Sequence, residues 1–86
     1  MSEPRRLWLV DRSFDDGRII TVTYATMEGD ATLTKQYNLP SISDGVPVSL
    51  EAQSDELTHI EDEKQRTMYR DEAERVRSQH TPDDRV

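Results

Sequence analysis

Apolar and polar residues alternate most cleanly between Arg18 and Met27, where threonines separate Ile20, Val22 and Tyr24. A period of two, in a run dense in β-branched and aromatic residues and free of Gly and Pro, predicts a β-strand. Turn signals close it on both sides, Asp15-Asp16-Gly17 before and Glu28-Gly29-Asp30 after. The neighbouring runs predict two more strands, so an antiparallel three-stranded meander is expected, with strands over about 6–14, 18–27 and 31–39.

Register follows from which pairing gathers the apolar residues on one side. A two-residue Asp-Gly loop pairs Asp15 with Arg18, whereas a three-residue loop with a left-handed Gly17 pairs Phe14 with Arg18. The three-residue loop sets Val10 opposite Val22 and Trp8 opposite Tyr24, and is the expected one. The second turn, at Glu28-Gly29, pairs Tyr24 with Leu33. One side of the sheet then carries Trp8, Val10, Phe14, Ile20, Val22, Tyr24, Leu33 and Tyr37. The other carries threonines, with Leu7, Leu9, Ile19 and Ala25 toward the first strand.

Past Asn38 the pattern breaks. Pro40, Gly45 and Pro47 forbid a continuous helix or central strand. An extended crossing over 40–50 is expected, with Ile42, Val46, Val48 and Leu50 turned inward. A helix over about 54–79 follows, capped by Ser54 or Thr58, with a break near Thr58 as an alternative. Acids crowd its front and arginines its back, as the macrodipole favours. Its apolar stripe is thin, so it must dock, and the Trp8/Val22/Tyr24 side is the expected seat. Pro82 ends it, and 81–86 should fray. The fold class is therefore α+β, one domain over 1–80, with the meander covered on one face by a C-terminal helix.

At 86 residues with no cysteine, neither disulfide nor thiolate metal site can staple the chain. Only the four apolar residues Leu7–Val10 follow the polar start, too few for a signal-peptide core or a membrane span, so a cytoplasmic location is expected. The net charge is −7, and nine of the eleven basic residues are arginine. Such an acidic, lysine-poor surface suits molar salt, where screening makes repulsion between carboxylates cheap. The Leu-Trp-Leu-Val opening and the Tyr-Ala-Thr strand end resemble short acidic proteins of halophilic archaea. The resemblance covers the first 40 residues and implies no activity.

Candidate chemistry is sparse. Glu56, His59 and Glu63 would share a helix face, but such spacing arises easily in so acidic a chain, and no metal or other cofactor is expected. The glycines stand singly at 17, 29 and 45, so no phosphate-cradling loop is present. Histidines on a helix and tail, with no elbow nearby, do not suggest nucleophilic catalysis, and a non-enzymatic protein is expected.

The first strand is apolar on both sides and lies at the border of the expected sheet. Such a strand invites pairing with a second copy or another protein, through Leu7, Leu9, Ile19 and Ala25. A homodimer or a protein–protein interaction module inside a larger assembly is the expected function. The alternative is an accessory factor on RNA or DNA, with Arg5, Arg6, Arg12 and Arg18 touching phosphate.

Overall fold

The computed structural model describes residues 3–15, 17–38 and 45–86, with Asp15 described by its backbone alone. The expected strand end at Leu39, crossing over 40–44 and turn residue Asp16 lie outside the described residues. Five strands and a helix follow in order: β1 Pro4–Asp15, β2 Ile19–Thr26, β3 Ala31–Asn38, β4 Ser49–Gln53, β5 Thr58–His59 and α1 Glu63–Gln79, with a 3-10 turn over Ser54–Glu56. The strands form one antiparallel sheet in the order β4-β1-β2-β3-β5, and α1 packs on β1 and β2. The fold is α+β.

The meander is present, and β2–β3 pairs in the expected register, Tyr24 with Leu33 and Ile20 with Tyr37. Two strands extend it. β4 pairs along the first half of β1, Trp8 with Ser49 and Leu7 with Leu50. β5 pairs briefly with β3, Ala31 with His59 and Thr32 with Thr58. The outer side of the first strand is thus not a border over Pro4–Trp8 but pairs with β4, and Leu7 and Trp8 lie between β2 and β4.

The register of β1 on β2 differs from expectation. Phe14 pairs with Ile20 and Arg12 with Val22, and the ladder ends at Asp15 with Ile19. A bulge at Val10 then shifts the ladder, and Leu9 pairs with Tyr24 and Trp8 with Ala25. An extra residue reverses which side chains face which way, because the strand repeat is two. Leu7 and Leu9 therefore join Ile20, Val22, Tyr24, Val46 and Ala52 in one core layer. Trp8 goes to the other side of the sheet, against Val48, Ala73 and Val76, with Val10 and Met27 beside it. The helix seats on this Trp8 side and not over Val22 and Tyr24.

The helix is shorter than its charge pattern suggested. Ile60 N–H donates to the Asp30 carbonyl, continuing the β5 pairing, so residues 58–60 are drawn into the sheet. Asp62 caps α1 by accepting from the Lys64 N–H, and neither Ser54 nor Thr58 does so. Its buried residues are Ala73 and Val76, with Tyr69 half-buried one turn earlier. The C-terminal residues are pinned: Val46 and Val86 exchange both backbone hydrogen bonds, and Val48 N–H donates to the Asp84 carbonyl. The fraying expected for 81–86 is prevented by that short ladder.

Candidate interaction groove

The apolar run Leu7–Val10 gives way at Asp11 to an exposed stretch, and the sheet changes there too. Leu9 N–H still donates to the Val48 carbonyl at 2.9 Å. Beyond it, among the described residues, nothing pairs with the outer side of β1, and the chain at 46–48 turns to pair with 84–86 instead. Asp11, Arg12, Ser13 and Phe14 are all exposed, Phe14 at 61%. The outer side of β1 is covered as far as Leu9 and is a border beyond it.

Two adjoining hollows open where β1 parts from β4 beneath α1. The smaller, about 300 Å³, lies between Leu9–Arg12, Val48, Val86, the helix residues Glu72, Arg75 and Val76, and His80 just past the helix end. The larger, about 610 Å³, runs between Val10–Asp11 and the helix residues Met68, Tyr69, Asp71, Glu72 and Arg75. Val10, Asp11, Glu72 and Arg75 belong to both.

Polar groups on the helix wall are held in place. Arg75 donates from Nε and Nη2 to the two Glu72 oxygens at 2.7 Å each, and from Nη1 to Gln79 Oε1 at 3.2 Å. The hydrogen bonds from Arg75 hold the Glu72 carboxyl below the usual glutamate range, so it stays charged. His80 Nδ1 lies 3.3 Å from Asp84 Oδ2, and the Thr81 backbone N–H and hydroxyl, donating to the same carboxylate, keep Asp84 low. The Asp11 side chain, by contrast, makes no hydrogen bond or ion pair among the described residues.

The residues singled out from sequence are scattered. Leu7, Leu9 and Ala25 are buried within the chain and Ile19 half-buried, so the first three cannot meet a partner at the surface. Arg5 and Arg6 sit at one end of β1, with Arg12 and Arg18 at the other, roughly 23 Å of extended chain from Arg5 to Arg12. Arg5 lies 3.1 Å from both Glu28 and Asp30, and Arg6 2.9 Å from Glu51. Arg5 and Arg6, both proposed for phosphate, are thus already paired with carboxylates. Burial alone would raise the Asp30 carboxyl, but hydrogen bonds from Thr26 and Arg5 bring it below the usual range.

Glu56, His59 and Glu63 fall on a 3-10 turn, a strand and the start of the helix, and no metal-holding group of three His, Cys, Asp or Glu side chains occurs among the described residues. None of their helices is long and apolar enough to cross a membrane. The groove itself was missed in the sequence. Its only signal was the abrupt end of the apolar run at Asp11, which does not reveal a bulge.

A family model covers residues 1–86, that of a family of unknown function, DUF7967. The chain belongs to DUF7967. No curated protein and no solved structure matches this DUF7967 member.

Proposed function

We propose that this DUF7967 protein is a small non-enzymatic protein–protein interaction module, working through self-association or within a larger assembly in a high-salt cytoplasm. The observation that carries the reading is the second half of β1. It offers an exposed strand border with an exposed phenylalanine, and such borders pair readily with another chain. The surface differs from the one the sequence suggested, since it starts at Asp11 rather than at Leu7. The polar residues of the adjoining groove are largely tied to one another, which suits a fixed recognition wall. The acidic surface accounts for solubility in salt and leaves the border as the sticky feature.

A photo-crosslinking phenylalanine analogue in place of Phe14 tests this in cells. The reading expects protein adducts above the monomer mass, either with a second copy or with another chain. Adducts to nucleic acid alone, or none at all, would contradict it.

A further inference from the structure

Asp11 pairs with Thr23 and so lies on the same side of the sheet as Trp8 and the helix, facing the larger hollow. That hollow has an apolar wall, with Val10 on one flank and Met68, 58% exposed, on the other. Among the described residues its carboxylates are Asp11, Asp71 and Glu72, and its one cation, Arg75, is held by Glu72. Asp71 has a loose partner, Arg70 at 3.6 Å, and Asp11 has none among the described residues. An apolar wall with an excess of negative charge fits a cation on an apolar stem, which describes an arginine or lysine side chain.

Resting on the interaction reading above, we propose that an extended segment of another protein adds to β1 alongside Asp11–Phe14 and places a basic side chain in this hollow. Strands pair about 4.8 Å apart and alternate their side chains between the two faces. The partner residue opposite Asp11 therefore points toward the helix and completes an opposite-charge cross-strand pair. The residue opposite Phe14, three positions away, points to the other face and is apolar. The partner's signature is thus a basic and an apolar residue three apart in a strand-forming segment.

The test uses the whole protein and a blocked, fluorescent peptide, Thr-Val-Arg-Thr-Thr-Ile-Thr, followed by anisotropy and by amide shifts in NMR. Saturable binding is expected, with shifts at Asp11–Ser13 and Met68–Glu72. Glutamate in place of the peptide's arginine should weaken binding about tenfold. Asp11→Lys, at an exposed position, should reverse that preference. Equal binding of the two peptides, no binding, or shifts confined to the outer border of β3 would overturn the proposal. Protein adducts at position 14 alongside any of these results would leave the interaction reading standing and remove only this partner, and their absence would remove both.

Discussion

Tyr24 Oη donates to the Pro47 carbonyl at 2.7 Å, joining the middle of the sheet to the segment that leads into β4. The ring is fully buried. Burial, and the Tyr37 phenol beside it, push the Tyr24 hydroxyl well above the usual tyrosine range. A phenol harder to ionise in the fold than in the open chain stabilises fully below its unfolded value, about 10. That contribution is lost as pH rises through the higher folded value. Thermal unfolding should therefore show stability falling above about pH 10, and falling less in Tyr24→Phe. At neutral pH, Tyr24→Phe should cost about 1 kcal/mol, read by denaturant titration.

Gly29 and Gly17 have similar left-handed backbones, φ 73° and 79°, in opposite surroundings. A side chain at Gly29 would strike the α1 backbone at Arg66 and Arg70, whereas one at Gly17 meets nothing. Gly29→Ala carries both backbone strain and a collision with the helix and should cost about 3 kcal/mol. Gly17→Ala carries the strain alone, about 1 kcal/mol. Equal losses in denaturant titration would mean that the helix does not press on the β2–β3 turn.

Trp8, the sole tryptophan, reports on the layer beneath the helix and not on the other. Its Nε1 has no acceptor among the described residues, so packing alone positions the ring. Val76→Ala should cost about 2 kcal/mol and move the native-state emission of Trp8. Leu33→Ala should leave that emission in place, because Leu33 packs against the opposite layer. Val22→Asp should unfold the domain by burying an unpaired charge. Arg70→Ala, which removes one exposed 3.6 Å ion pair, should change stability by about 0.5 kcal/mol or less.

The meander was legible because Ile20, Val22 and Tyr24 alternate with threonines and glycines mark both turns. The β2–β3 register followed from the same alternation. The β1–β2 register did not, since Leu7, Trp8, Leu9 and Val10 are all apolar and either parity looks buried. Only the placement of the Val10 bulge decides between them, and no glycine flags it. β4 hid behind two prolines, although Pro47 stands just before the strand and leaves Ser49–Gln53 free to pair. Residues 58–61 carry a capping-box pattern, yet the backbone bonds of 58–60 to Asp30 and β3 outweigh it. The groove depends on the bulge, on β4 and on the pinned C-terminal residues together, so no local pattern announces it.

Residue-resolved amide hydrogen exchange along β1 tests the central claim most directly, that the outer side of one strand is covered up to Leu9 and a border after it. Strong protection is predicted for amides bonded to β4 and at Leu9, and for those beyond Asp11 that face β2, with rapid exchange where the second half faces outward. Protection of every amide through Phe14, or rapid exchange on the outer side from Arg5 onward, would contradict it.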